Sequence, residues 1–191
     1  MPNSKRTPML PQAEKVGWSA SVNGRAISET VESNSVLLDV LRDNVGTLGV
    51  KRGCDMGTCG CCAVLVDGKP RLSCLTLAQE VDGAIITTVE GLADGAHLAP
   101  LQETFTTHGG SQCGFCTPGF LVVAEALLQS NSNPTDEEIK SAIEGNLCRC
   151  TGYQPIVDSI QAAAEILRLG DSTSDSNLPQ SDPNPGFKEE S

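Results

Sequence analysis

Apolar positions divide the chain into two regimes. Residues 18–22 and 25–31 are extended runs joined by Asn23-Gly24, a pair that takes positive φ cheaply at both central turn positions and so predicts a β-hairpin. In residues 36–45 the period lengthens. Val36, Leu37, Val40 and Leu41 share one helical face, with Ser33 or Ser35 available as a cap. Ala63–Val66 is an uninterrupted apolar run, Asp67-Gly68 turns it, and Lys69–Leu72 returns. Residues 84–89 are β-branched and predict a last strand.

Past Gly91 only helical spacing is left. Residues 98–107 predict one helix and 117–129 a second, with Pro118 tolerated in its first turn. Phe120, Leu121, Ala124, Leu127 and Leu128 form a wide apolar face on that second helix. Thr135 and Glu138 make a capping box for a third helix, which Gly145 and Asn146 stop. A fourth covers 155–169, with Ile156, Ile160, Ala163, Ala164 and Leu167 inward and Gly170 ending it. The predicted class is α+β. A small sheet domain over 16–91 precedes an all-α four-helix domain over 92–170, between disordered ends at 1–15 and 171–191. The last stretch sets five acids (Asp171, Asp175, Asp182, Glu189, Glu190) against Lys188 alone.

Composition narrows the function classes. A net charge of −11 argues against nucleic acid, whose phosphates need basic neutralisation, and against an anionic membrane surface. No apolar run approaches the ~20 residues of a transmembrane helix. The first twelve residues carry Lys5 and Arg6 without an apolar segment behind them, so the expected compartment is cytoplasmic. Nine cysteines in a reducing compartment point to metal or redox chemistry and not to disulfides.

Those cysteines form two constellations. Cys54, Cys59 and Cys62 are spaced C-x4-C-x2-C in a glycine-rich stretch, and Cys74 follows alone. This is the plant-type [2Fe–2S] spacing, in which two irons take two thiolates each. The loop must curl round the cluster and aim backbone N–H groups at sulfur, which glycines permit. Cys61 lies outside the spacing and is read as a buried non-ligand. The second constellation pairs Cys113-Gly-Phe-Cys116 with Cys148-Arg-Cys150, with 31 residues between them. Both sit at predicted helix ends, and a helix N-terminus favours an anionic thiolate. A zinc module is the alternative, but its usual spacing is two C-x2-C pairs about 15–20 residues apart.

Gln112-Cys-Gly-Phe-Cys-Thr-Pro-Gly119 and Gly145-Asn-Leu-Cys-Arg-Cys-Thr-Gly-Tyr153, together with the earlier loop, give the chain a family resemblance over residues 17 to about 168. It resembles the iron–sulfur small subunit of the xanthine oxidase family of molybdenum hydroxylases. The resemblance implies a plant-type ferredoxin-like (β-grasp) domain followed by a helical [2Fe–2S] domain. Cys54, Cys59, Cys62 and Cys74 would hold the outer cluster; Cys113, Cys116, Cys148 and Cys150 would hold the inner one. Gln112 matches the glutamine that hydrogen-bonds the pterin of the molybdenum cofactor. The implied partners are a large molybdopterin-binding subunit and a medium FAD-binding subunit in a hetero-oligomer, with a dimer of heterotrimers as one arrangement. Cys61 departs from the family, which usually has a small residue such as alanine there.

No catalytic acid–base pair and no nucleotide-binding glycine pattern is visible, and His97 and His108 stand apart from any constellation. The expected role is therefore an electron relay in a larger oxidoreductase, with no catalytic residue and no substrate site on this chain. A free-standing [2Fe–2S] carrier, acidic enough to dock on basic partners, is the second reading.

Overall fold

The computed structural model describes residues 13–173. Five strands and five helices follow in chain order: β1 (Lys15–Val22), β2 (Arg25–Glu32), α1 (Leu37–Asp39, continued as a π-helical segment over Val40–Val45), β3 (Ala63–Val66), β4 (Lys69–Leu72), β5 (Ile85–Thr87), α2 (Pro100–Thr107), α3 (Thr117–Ser130), α4 (Asp136–Ile143) and α5 (Gln154–Thr173). The sheet order is β2-β1-β5-β3-β4. Both hairpins are antiparallel, and β5 joins them by pairing parallel to β1 and antiparallel to β3. The hairpin turns have the expected left-handed backbone, φ 50° and 76° at Asn23-Gly24 and the same at Asp67-Gly68.

Alternation along β1 decides which face is covered. Trp18, Ala20 and Val22 point into a core with Leu37, Leu38 and Leu41 of the α1 segment, while Ser19 and Ser21 point away. β3 is buried along its whole length because both of its faces are covered. Val64 and Val66 belong to the α1 side, whereas Ala63 and Leu65 pack with Val122 of α3. The uninterrupted Ala-Val-Leu-Val run is thus the seam between the sheet and the helices. Beyond it α2–α5 enclose their own core, with Leu101, Phe105, Phe120, Ile139, Ile156 and Ile160 fully buried.

Several boundaries differ from the sequence expectation. β1 starts at Lys15 and not at Trp18, because its hairpin pairing with β2 extends to Lys15↔Glu32. β5 is three residues long. The α1 segment has no side-chain cap: neither Ser33 nor Ser35 serves, and the Leu37 amide donates to the Thr76 carbonyl at 2.8 Å. α2 starts at Pro100, which suits a first helical position. α5 runs through Gly170 to Thr173, so the expected stop does not operate and the start of the expected disordered tail is helical. The rest of that tail and residues 1–12 lie outside the described residues.

Candidate metal centre

The loop between α1 and β3 carries Cys54, Cys59, Cys61 and Cys62, and Cys74 follows β4. Gly57 and Gly60, both at φ 71°, curl the loop. As a result the backbone N–H groups of Met56, then Cys59 and Thr58, converge on the Cys54 sulfur and hold its thiol down at about 6. Cys59 and Cys62 are buried and Cys54 and Cys74 half-buried. Burial, and then the neighbouring Cys62, push Cys74 up to about 12.

Helix ends supply the second set. Cys116 precedes the first residue of α3, and Cys148 and Cys150 lie in the connection from α4 to α5. Cys113 and Cys150 are exposed, Cys116 and Cys148 half-buried. The Phe115 amide, then Cys150, lower the Cys113 thiol. Burial works to raise Cys148, but the Thr151 hydroxyl and amide outweigh it and the thiol is lowered. Burial, and then Cys148, push the Cys116 thiol up to about 12, because desolvation disfavours the thiolate.

None of the nine cysteines is joined to another in a disulfide. Among the described residues no group of three or more His, Cys, Asp or Glu is placed to hold a single metal ion. The thiols converge in twos. Cys62 and Cys74 sulfurs are 3.2 Å apart, and Cys113 and Cys150 sulfurs 3.5 Å. Cys54 contacts Cys59, and Cys116 contacts Cys148. Two thiolates on one tetrahedral metal with metal–sulfur bonds near 2.3 Å lie about 3.8 Å apart. Two such pairs in each half match the donors of a binuclear cluster that takes two thiolates per iron.

Cys61 is buried and stands apart from these four pairs, though it also contacts Cys59. Its Sγ lies 3.7 Å from the Cys59 carbonyl oxygen, and burial, then Cys59, push its thiol up to about 12. It lines a cavity of about 470 Å³ whose walls come from Cys59 and Cys61 on one side and Cys113, Cys116, Cys148 and Cys150 on the other. Of the loop constellation Cys59 alone reaches this space, whereas all four cysteines of the helical set line it. Gln112 is exposed beside Cys113. His108 ends α2 with its Nδ1 3.3 Å from the Thr104 carbonyl, and the His97 backbone pairs with Asp94.

Residues beyond the cysteines hold the two sets together. The Leu147 amide donates to the Cys59 carbonyl at 3.0 Å, and the buried Asn146 side chain donates to the Gly60 carbonyl at 3.2 Å. Tyr153, at φ 71°, accepts the Cys148 amide on its hydroxyl at 3.0 Å and donates to the Asn146 carbonyl at 3.2 Å. In sequence Asn146 reads as a helix stop and as one residue of the stretch 145–153, with no sign of its bond to Gly60. Its one available signal was its place beside the Cys148-Arg-Cys150 run.

Both halves of the chain are similar to known proteins. Residues 14–107 match the family described as "2Fe-2S iron-sulfur cluster binding domain", and residues 88–161 match the "[2Fe-2S] binding domain" family. The nicotine 6-hydroxylase small subunit of Paenarthrobacter nicotinovorans is 50% identical over 148 residues, 78% of this chain and 89% of that one. The nicotinate dehydrogenase small FeS subunit of Eubacterium barkeri is 45% identical over 151 residues, 79% of this chain and 96% of that one. Among solved structures, a chain of quinoline 2-oxidoreductase from Pseudomonas putida 86 superposes with a TM-score of 0.78 at 46% identity, covering 82% of this chain and 98% of that one. The chain belongs to the iron–sulfur small subunits of the xanthine oxidase family of molybdenum hydroxylases. It has that family's ferredoxin-like domain followed by a helical [2Fe–2S] domain, and its cofactors are [2Fe–2S] clusters.

Proposed function

We propose that this chain relays electrons one at a time between a molybdopterin centre on a large subunit and FAD on a medium subunit or an external acceptor. When bound, a [2Fe–2S] cluster supplies a carrier that takes up and releases a single electron. Cys54, Cys59, Cys62 and Cys74 hold the outer cluster, and Cys113, Cys116, Cys148 and Cys150 the inner one. Residues 16–91 and 92–170 act as the two cluster domains. The observation that carries this reading is the pairing of the eight thiols, two pairs in each half, with Cys59 of the loop set and all four cysteines of the helical half lining one cavity.

The chain's own groups set the conditions at each place. Backbone N–H groups aimed at Cys54 and Cys113 favour the more negative, reduced state of whatever these sulfurs bind. The inner set is open on one side: Cys113 and Cys150 are exposed, and Phe115 and Leu147 expose apolar surface beside them. A covering partner would bury those groups, and Gln112 on the same rim would meet the pterin of the large subunit. This exposed rim favours a subunit over a free-standing carrier. No helix among the described residues is long and apolar enough to cross a membrane, in keeping with a cytoplasmic complex.

Purification from the native host tests the proposal. The expected result is a red-brown chain with about four irons and four acid-labile sulfides, travelling with molybdenum- and flavin-containing chains. A colourless zinc protein, or a coloured protein that travels alone, would overturn it.

A further inference from the structure

The two thiol sets come from different folds, yet something must hold them in one register. Two adjacent carbonyls of the cysteine loop, Cys59 and Gly60, accept from two adjacent residues of the helical half, Leu147 and Asn146. The first rung is a backbone amide; the second is the Asn146 side chain. Each rung abuts a thiol set directly. Gly60 stands between Cys59 and Cys61, and Leu147 is followed at once by Cys148.

Asn146 is fixed on three sides. Its amide donates to the Ile143 carbonyl at 2.9 Å, its carbonyl accepts the Tyr153 hydroxyl, and its side chain reaches Gly60, 86 positions earlier. It is 4% exposed, so water does not compete for that bond. The approach leaves no room for a β-carbon at two places. A methyl built on Gly60 would lie 2.5 Å from the Gly145 carbonyl oxygen and 2.6 Å from the Asn146 amide nitrogen. One built on Gly119, in the first turn of α3, would run into the Gly60 carbonyl oxygen.

We infer that Asn146 is a positioning residue that sets the separation and contact of the two thiol sets, with Gly60 and Gly119 kept small so that it can. This rests on the two-cluster reading above. Asn146 hydrogen-bonds to Gly60, Tyr153 and Ile143 and not to a thiol, and its role is to keep Leu147 on the Cys59 carbonyl and so Cys148 beside the loop. Without the side-chain rung, the backbone hydrogen bond from Leu147 to Cys59 and the packing of β3 on α3 are left to hold the loop, and its fixed register against α3 is lost.

The test uses the full chain with its iron, reduced so that both clusters are paramagnetic, and reads low-temperature EPR. Two distinct signals in the unaltered chain check the underlying reading; their mutual magnetic splitting reads the inference. In Asn146→Ala we expect about four irons still bound, both sets of g values unchanged, and a narrowed or lost splitting. Gly119→Ala, which wedges the same contact from the α3 side, should do the same. An unchanged splitting in both variants would overturn the inference. Loss of a cluster from Asn146→Ala would also overturn it, because Asn146 would then be needed to form a site and not to space two formed ones.

Discussion

The loop of the sheet half and the helix ends of the helical half present the same four-thiol chemistry by opposite means. In the loop, three of four donors fall within nine residues, and the chain's own turns bring backbone N–H groups onto sulfur. In the helical half, Cys113 and Cys116 meet Cys148 and Cys150 only because α3, α4 and α5 pack together. A local device costs little chain entropy and depends on backbone conformation, whereas an assembled one depends on a core. The loop set is also the more enclosed, with Cys59 and Cys62 buried, while the helical set leaves Cys113 and Cys150 at the surface.

The largest effect should come from removing one donor. Cys113→Ser is expected to lower iron from about four to about two per chain, erasing one EPR signal and keeping the other. Cys54→Ser should erase the complementary signal. If either variant lost both signals, the two sets would not be independent sites; if neither lost one, the ligand assignment would fail.

Next in size is a change that touches no donor. Phe120 is fully buried in α3 and meets the Tyr153 ring edge-on at 6.2 Å. Phe120→Ala should cost about 3–5 kcal/mol. If the helical set depends on its core, that set should lose its signal first as the variant is warmed, with the loop set lost only at higher temperature. Loss of both at one temperature would erase the distinction between a local and an assembled site.

A smaller effect is expected at Cys61. Its sulfur fills space beside the Cys59 carbonyl and belongs to none of the four thiol pairs. Cys61→Ala should keep all the iron and cost about 1 kcal/mol through lost packing. Loss of iron from this variant would move Cys61 into the ligand set.

How much of this was legible in the sequence follows the same division. The hairpins at Asn23-Gly24 and Asp67-Gly68 were readable because turn chemistry is local, as was the capping box of α4. So was the loop spacing of Cys54, Cys59 and Cys62. The parallel pairing of β5 with β1 was not, since it joins residues more than sixty positions apart. The unbroken burial of β3 showed as an apolar run, but nothing in it said that α3 covers the second face. Asn146 does follow the end of α4 as Gly-Asn suggested, but its bond to Gly60 was not legible for the same reason: that partner lies 86 positions earlier, in the sheet half. Gly170 failed as a stop because glycine permits a left-handed cap without requiring one.

The smallest expected effect separates the stability of the helical half from its thiol chemistry. At the start of α4 the Thr135 amide donates to the Glu138 carboxylate at 2.7 Å and the Thr135 hydroxyl at 2.9 Å, and these bonds hold that carboxyl below its usual range. A depressed folded-state value means that this contribution is fully present above the unfolded value, about 4.3, and is lost as pH falls through the folded one. Glu138→Gln keeps an acceptor for the Thr135 amide but cannot ionise. At pH 7 it should lower the thermal midpoint by no more than about 2 °C, and that gap should close as the pH is taken below about 4. The midpoint, followed by circular dichroism against pH, checks both parts. Neither EPR signal should change at pH 7, since the bonds of this cap reach no cysteine; a change in the helical signal alone would mean that the helical set senses even the far end of α4.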